Sequence, residues 1–379
     1  MNHRLKALAD AGVSVWLDDL SRELLESGDL VNLVEEHSVV GVTTNPTIFA
    51  NAIANGERYN EQLRKLVSAG EPVDKVVFAL TTADVRDACD LLAPLATGNS
   101  ADGRVSIEVE PTLANDTSGT INSAQALWAA IDRPNVLIKI PATKEGLPAI
   151  TAAIAQGISV NVTLIFGEQR YREVMDAYLT GLEQAGSSGL DLSQIQSVAS
   201  FFVSRIDTEI DARLEAVGTS AALELKGHAA LANARLGYAA YEEVIASERW
   251  TRLAQAGAHK QRPLWASTGV KSKEYADTMY VTELIVADTV NTMPRATLEA
   301  FADHGAVGGD RVTGQGEKAR SILDRITAVG IDFEDVLTAV EHEGVDKFKK
   351  SWTELTQTVT QQMSEVPPGL ESPADHVGE

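Results

Sequence analysis

Eight short, nearly continuous apolar runs recur along the chain, separated by longer segments with helical periodicity. Apolar residues at consecutive positions are typical of strands that are buried on both faces, as in parallel sheets covered by helices. The runs predict strands at residues 13–18, 40–45, 104–110, 135–140, 157–163, 197–203, 263–268 and 280–286. For the eighth run, a helix remains an alternative to a strand, because apolar periodicity does not distinguish the two over so short a segment. Eight strands alternating with helices predict the α/β class and a (β/α)8 TIM barrel.

Several connections are longer than a barrel needs, and we interpret them as extra helices on one barrel. Residues 47–103 have room for two helices, and residues 208–260 are mostly Ala-rich helical sequence. No Pro/Gly/Ser-rich linker separates these segments from the barrel. The chain is therefore expected to have three parts. Residues 1–300 form the barrel with its extra helices, residues 301–364 form C-terminal helices packed on the barrel, and residues 365–379 form a disordered tail.

One helix after the eighth run carries an apolar stripe along a single face. Such a stripe must be buried, which predicts a C-terminal helical extension that packs on the barrel. Its core residues are expected to be Val345, Phe348, Trp352, Leu355, Val359 and Met363.

The charge balance limits the partners that the protein can have. The chain has 379 residues, and its 54 acidic and 32 basic side chains leave a formal net charge of −22. Such a charge repels phosphate backbones and anionic lipids, so we expect small-molecule partners, with no nucleic acid and no membrane. The first residues lack an apolar export signal, and Cys89 alone cannot form an internal disulfide, so a cytoplasmic location is expected.

Lys139 lies in the middle of a predicted buried strand, in the sequence VLIKIP. Burial favours the neutral form of an amine, and a neutral amine is what a Schiff-base nucleophile requires. A lysine that is paired with a buried carboxylate, or that extends past the strand end, would have the same sequence pattern. The position alone therefore leaves both the catalytic and the structural interpretation open.

Polar residues also follow the other predicted strands at their C-terminal ends. In a (β/α)8 barrel these ends meet at one mouth, where active sites lie. A carboxylate that moves protons, a buried amine and neutral groups that bind hydroxyls together predict carbon–carbon bond chemistry on a sugar. The residues are Asp18 and Asp19, Thr43, Thr44 and Asn45, Glu108 and Glu110, Asn161 and Thr163, Ser200, and Ser267 and Thr268.

Metal and nucleotide chemistry find little support in the sequence. The glycines of residues 305–309 and 314–316 do not follow a strand in a GxGxxG frame, so they indicate turns. The histidines lack metal-binding spacing, so we expect no metal and no cofactor. They are His3, His37, His228, His259, His304, His342 and His376.

Eight segments of the chain resemble segments of the transaldolase family and occur in the same order as in that family. They span most of residues 12–302. The resemblance implies a cofactor-free (β/α)8 enzyme of the pentose phosphate pathway. Such enzymes move a dihydroxyacetone unit between sedoheptulose 7-phosphate or fructose 6-phosphate and the aldoses glyceraldehyde 3-phosphate or erythrose 4-phosphate. The segments are WLDDLSR, GVTTNPTIF, VSIEVEP, LIKIPAT, VNVTLIF, SFFVSRID, WASTG and NTMPRATLEAF.

The resemblance implies that Lys139 forms the Schiff base with the ketose C2 carbonyl. Asp18 corresponds to the acid/base that takes and returns the C4 hydroxyl proton. Glu108 and Thr163 are similar to the pair that positions a water during imine formation. Because adjacent strand residues face opposite sides, either Asp18 or Asp19 enters the barrel; we choose Asp18, which closes the apolar run.

The remaining positions correspond to substrate-binding residues. Asn45 and Asn161 resemble the amides that hold donor hydroxyls, and Ser200 resembles the serine that binds the C1 hydroxyl. Thr44 is expected to line the same mouth. Phe202 matches a phenylalanine beside the reacting carbons, where free aldolases of the superfamily have a tyrosine.

Phosphate binding is expected at two neighbouring strand ends. Arg205 matches a phosphate-binding arginine of the family. Where the family has a serine and a nearby arginine after strand seven, this chain has Ser267 and Lys271. A lysine supplies charge there but no bidentate contact.

Two other functions stay open, namely a free aldolase that releases dihydroxyacetone and an inactive barrel that binds sugar phosphates. The sequence is also compatible with either a monomer or a homodimer.

Overall fold

The computed structural model describes residues 1–97 and 101–366. Its centre is a closed barrel of eight parallel strands in chain order, with β8 paired to β1. The barrel and its surrounding helices confirm the predicted (β/α)8 class. The strands are β1 Val13–Leu17, β2 Val39–Thr43, β3 Arg104–Glu108, β4 Val136–Pro141, β5 Val160–Ile165, β6 Ser197–Phe202, β7 Gln261–Ala266 and β8 Thr289–Met293.

The prediction of strand eight at residues 280–286 is wrong. That apolar run contains a short helix, and its residues Leu284, Ile285 and Val286 are buried outside the sheet. The chain then turns at Asp288, which has a φ of 63° and donates its N–H to the carbonyl of Gly12, and β8 follows. The apolar residues 284–286 are thus buried against the barrel, whereas β8, whose backbone pairs with β1 and β7, carries the polar residues Asn291 and Thr292.

Seventeen α-helices occur within the described residues. They are α1 His3–Asp10, α2 Arg22–Glu26, α3 Asp29–His37, α4 Pro46–Ala54, α5 Asn60–Ser68, α6 Val73–Leu92, α7 Thr117–Ile131, α8 Gly146–Ala155, α9 Glu168–Ser187, α10 Ser204–Val217, α11 Ser220–Leu223, α12 Ala229–Ile245, α13 Glu248–Gln255, α14 Met279–Thr282, α15 Arg295–His304, α16 Gly316–Ala328 and α17 Phe333–Glu365. Short 3₁₀ helices lie at Glu57–Tyr59, Ala93–Leu95, Pro111–Leu113 and Leu192–Gln194. None of the helices in these ranges is long and apolar enough to cross a membrane.

The segment between β2 and β3 holds three α-helices, α4 to α6, where the sequence predicted room for two. The break between α4 and α5 is at Gly56, where a Cβ would lie 2.7 Å from the ring of Tyr59. The Tyr59 hydroxyl donates to buried Asp84, which also accepts two hydrogen bonds from Arg22. This network fixes the extra turn against α2 and α6.

Alternation along β1 places Trp16 inside the barrel, and Asp18, two residues further on, belongs to the same face. Trp16 is fully buried, and a Cβ on Gly41 of β2 would lie 2.4 Å from its indole ring. The glycine therefore makes room for the indole. With the centre of the barrel filled in this way, polar groups are left at the C-terminal end of the strands.

The long helix α17 packs against α4, α6, α10 and β5 on the C-terminal side of the barrel. Leu355 and Val359 of the predicted stripe are core residues, and Ser351 shares a 2.7 Å hydrogen bond with Thr47. Phe348 is buried too, but it faces the barrel mouth. The division of the chain at residue 300 stays a prediction, and residues 367–379 of the predicted tail lie outside the described residues.

Candidate active site

A cavity of about 190 Å³ lies at the C-terminal ends of the strands, beneath Phe348 of α17. A larger cavity of about 610 Å³ lies between α9 and α17. We place the site in the smaller one because it holds the buried amine of Lys139 together with the carboxylate of Asp18. Nine of the candidate site residues from the sequence line it: Asp18, Thr43, Asn45, Lys139, Ser200, Phe202, Arg205, Ser267 and Lys271.

Lys139 lies at the centre of the mouth and is 4% exposed. Its neighbours in strand register are Glu108 on β3 and Asn161 on β5. The Nζ atom donates a 3.0 Å hydrogen bond to the carbonyl of Thr44 and lies 3.5 Å from Glu108 Oε2. The carbonyl of Thr44 thus holds the amine by a hydrogen bond and Glu108 attracts it as an ion-pair partner, while the ring of Phe348 lies 5.7 Å away.

The structure places Asp18, rather than Asp19, in the mouth. Asp18 Oδ1 accepts a 2.7 Å hydrogen bond from Thr43, whose hydroxyl also contacts Thr292 at 2.6 Å. Burial raises the pKa of Asp18, although the charge of Lys139 opposes this effect. A carboxyl group with a raised pKa is suited to exchanging protons near neutral pH.

Glu108 and Thr163 each contain a buried oxygen, Oε2 and Oγ1 respectively, without a hydrogen-bond partner among the described residues. Burial raises the pKa of Glu108 to about 7, with the charge of Lys139 opposing the increase. Buried polar atoms without protein partners are typical of places where a water or a substrate group binds. Glu108, which lies beside the amine of Lys139, can exchange a proton with a water bound at its free oxygen.

A chain of hydrogen bonds orients the neutral polar groups. The Ser200 hydroxyl donates to Asn161 Oδ1 at 2.7 Å, and Asn161 Nδ2 donates to Ser106 at 2.9 Å. Ser106 was missed in the sequence, although it lies two residues before Glu108 and therefore on the same face of its strand.

Asn45 and Thr44 contribute in different ways. Asn45 lines the mouth while its side-chain oxygen caps α4 by accepting the N–H of Ile48. The Thr44 hydroxyl donates to the carbonyl of Ser106, so Thr44 reaches the site through its backbone carbonyl on Lys139. Its side chain is not among those that line the cavity.

Three cationic side chains line the outer part of the cavity, namely Arg205, Lys271 and Lys347. None of them forms an ion pair with a carboxylate of the described residues. Partial loss of surrounding water lowers the pKa of Lys347, and the charges of Arg205 and Lys271 lower it further. Three cations that repel each other in a chain of net charge −22 indicate a site for an anion.

Lys347 was also missed in the sequence. It precedes Phe348 in the stripe of α17, but nothing in that pattern shows that this part of the helix lies over the mouth.

Aromatic rings position the guanidinium of Arg205. Its Cζ lies 5.1 Å from the centroid of Phe202 and 5.9 Å from that of Phe348. On α17, a Cβ at Gly344 would lie 3.1 Å from Arg205 Nη1, so the glycine allows this close approach. Arg205 is thus oriented by aromatic rings and not by an ion pair with a carboxylate of the described residues.

Ser267 connects the ends of two strands at the edge of the mouth. It has a φ of 55°, which is uncommon for a residue other than glycine, and its hydroxyl lies 2.9 Å from that of Ser204 at the start of α10. The contact holds the segment after β7, which carries Lys271, beside the segment after β6, which carries Arg205.

Within residues 1–97 and 101–366, no group of three or more His, Cys, Asp or Glu side chains is arranged to hold a metal ion.

A sequence model of the family described as transaldolase/fructose-6-phosphate aldolase matches residues 15–359. A protein named transaldolase from Thermobifida fusca is 59% identical over 365 residues, which are 96% of this chain and 99% of the relative. A transaldolase from Saccharopolyspora erythraea is 58% identical, with coverage of 96% and 99%, and one from Mycolicibacterium smegmatis is 58% identical, with coverage of 96% and 98%. These similarities confirm the resemblance seen in the sequence motifs: the chain belongs to the transaldolase/fructose-6-phosphate aldolase family.

Proposed function

We propose that this chain transfers a dihydroxyacetone unit from a ketose phosphate to an aldose phosphate through a Schiff base on Lys139. The observation that carries the proposal is the buried amine of Lys139, which shares one mouth with the carboxylate of Asp18 and with three cations that form no ion pair within the described residues. These groups match a ketose that binds with its carbonyl inward and its phosphate outward.

The first half of the reaction forms the imine. The neutral amine of Lys139 attacks C2 of the ketose, and the carbinolamine loses one water to give a protonated imine. Glu108, whose pKa is raised to about 7, supplies a proton to the departing hydroxyl through a water held with Thr163. Asn161 and Ser200, fixed by their mutual hydrogen bond, hold hydroxyls of the dihydroxyacetone part.

The second half exchanges the aldose. Asp18 takes the C4 hydroxyl proton, the C3–C4 bond breaks, and the imine accepts the electron pair as an enamine. The first aldose leaves, and the enamine carbon then attacks the aldehyde of the acceptor while Asp18 returns the proton. Hydrolysis of the new imine consumes one water and restores the amine of Lys139.

The phosphate is bound at the outer end of the mouth in this proposal. Arg205 is oriented by the aromatic rings, whereas Lys271 and Lys347 are exposed side chains that complete the cationic site. The roof formed by α17, with Lys347 and Phe348, is thus part of the substrate site and not only a packing element.

The remaining expectations fit this function. Sugar phosphates are the proposed partners, and a cytoplasmic location agrees with the negative charge and the single cysteine. The choice between monomer and homodimer stays a prediction.

Borohydride trapping tests the nucleophile directly. Incubation with fructose 6-phosphate and borohydride, followed by peptide mass mapping, is expected to give one ketose adduct, on Lys139. Lys139→Ala should remain folded and lose both adduct and turnover. Exposed Lys144 lines the other cavity, so Lys144→Ala is the matched control and should keep both. An adduct on Lys271 or Lys347 would show that the nucleophile is assigned wrongly.

A further inference from the structure

A separate cavity of about 150 Å³ leads to Glu108 from outside the mouth. It lies between α4, α6 and α7, with Trp352 of α17 beside it. Glu108 lines this cavity and is not among the residues that line the sugar mouth, whereas Asn45 borders both. Glu108, which exchanges a proton with water in the proposed mechanism, therefore borders a second space as well.

This cavity extends from buried to exposed residues. Glu108 lies at the buried end, and the exposed side chains of Asp74 and Lys75 lie at the other. Phe49 and Leu127 are among the apolar residues along its walls. At about 30 Å³ per molecule, its volume accommodates roughly five waters.

The chemistry of a Schiff base requires such an exchange of water. When the amine adds to C2, the carbonyl oxygen leaves as one water, and hydrolysis later needs one water back. At both moments a sugar phosphate occupies the mouth, beneath Phe348. Glu108 Oε2 lies 3.5 Å from Lys139 Nζ and accepts no hydrogen bond from the described residues. A water at this atom would therefore lie beside the imine and be separated from solvent on the mouth side.

We propose that the cavity behind Glu108 is the route by which water leaves and reaches the imine while the sugar fills the mouth. The inference rests on the proposed Schiff-base function and deepens it. Polar groups at its ends bind the arriving water, whereas the apolar walls offer few hydrogen bonds that would retain it. The sugar can thus stay bound while its C2 oxygen is exchanged with solvent.

Loss of oxygen-18 from C2-labelled fructose 6-phosphate measures this exchange. In an Asp18→Asn background the imine should form and hydrolyse without C3–C4 cleavage, so the label is lost only through water exchange. Borohydride trapping in the same samples counts the imine formed. The informative quantity is label loss above the uncatalysed rate, per trapped adduct.

Ser123 on α7 lines the cavity, and Ser123→Leu adds a side chain that fills it. Asn122→Leu places the same side chain on the neighbouring, exposed position and is the matched control. Ser123→Leu should lower label loss at least several-fold while trapping is unchanged, because released water stays at the imine and returns to it. Asn122→Leu should lose label at the rate of the background.

If Ser123→Leu and Asn122→Leu lose the label at equal rates and form equal amounts of trapped adduct, the proposed water route is wrong. The Schiff-base mechanism is not affected by that result. If Ser123→Leu does not fold, Leu127→Phe fills the cavity from the same helix and is subject to the same two outcomes. If the Asp18→Asn protein forms no adduct at all, the proposed function itself fails, and the water route fails with it.

Discussion

The two sides of the barrel mouth are built differently. On the reaction side, Asp18, Glu108 and Lys139 come from the ends of β1, β3 and β4, and hydrogen bonds or an ion pair hold each of them. On the phosphate side, Arg205 is at the start of α10, Lys271 is in a loop, and Lys347 is on α17. Strand register thus positions the reacting groups, whereas long-range packing assembles the anion site.

Among variants that keep the nucleophile Lys139, the largest effect is expected on the reaction side, at Asp18. Asp18→Asn keeps the shape but cannot accept the C4 hydroxyl proton, so cleavage should slow by about 10²- to 10⁴-fold while the trapped adduct still forms. Asp19→Asn should stay close to the parent enzyme in single-turnover assays. The opposite ranking would show that Asp19 performs the proton transfer.

A second prediction uses the pH dependence of stability to test how strongly the surroundings of Glu108 disfavour its charged form. Burial raises the pKa of Glu108 from its usual 4.5 to about 7, so between these pH values the folded protein retains a proton that the unfolded chain has released. The contribution of Glu108 to the free energy of unfolding therefore falls as pH rises through this window. The full effect is about 3 kcal/mol, at 1.36 kcal/mol per pKa unit.

Glu108→Gln removes this titration. Urea unfolding should show the variant gaining stability relative to the parent as pH rises from 4.5 to about 7.5. Glu110→Gln, a half-buried neighbour, is the control and should follow the parent curve. A constant difference between the Glu108→Gln and parent curves across this range would mean that Glu108 is not held in a charge-disfavouring site.

The phosphate side should respond more weakly and more specifically. Arg205→Ala removes a charge-assisted contact worth about 1.5 to 3 kcal/mol, so kcat/KM for phosphorylated substrates should fall roughly 10- to 200-fold. Lys271→Ala and Lys347→Ala should give smaller losses, because exposed lysines are screened by water. Competitive inhibition by inorganic phosphate should weaken in the same order.

Lys350→Ala removes an exposed lysine of α17 that lies away from the mouth and is the control for net charge. Equal phosphate inhibition of Arg205→Ala and Lys350→Ala would place the anion elsewhere.

The same contrast explains what the sequence could predict. Lys139 and Ser200 lie within apolar runs and Asp18 follows one, and the alternation of strand residues points all three into the barrel. Lys347 comes from a helix more than 140 residues beyond Ser200, and its position over the mouth depends on how α17 packs. No local pattern contains that information.

The misplaced eighth strand has a related cause. Residues 280–286 are apolar because they are buried against the barrel, whereas β8 contains Asn291 and Thr292, whose polar groups bond within the buried interior. A search for apolar runs finds the first and overlooks the second. Sequence patterns therefore identify burial more reliably than they identify the element that is buried.

The smallest effect is expected at Phe202, where the two sides meet. Its ring is 6% exposed, lies 5.3 Å from that of Phe166 and lines the mouth, so it presents an apolar surface to the reacting carbons. An apolar ring cannot donate a proton to the enamine, which should then persist until an aldehyde arrives.

Phe202→Tyr should raise dihydroxyacetone release from fructose 6-phosphate alone, relative to transfer to erythrose 4-phosphate, by several-fold. Phe202→Leu keeps the position apolar and should leave that ratio unchanged. If both variants lose dihydroxyacetone release and dihydroxyacetone transfer to the same extent, Phe202 is only a packing residue. If the parent protein releases dihydroxyacetone as fast as it transfers it, the chain is a free aldolase.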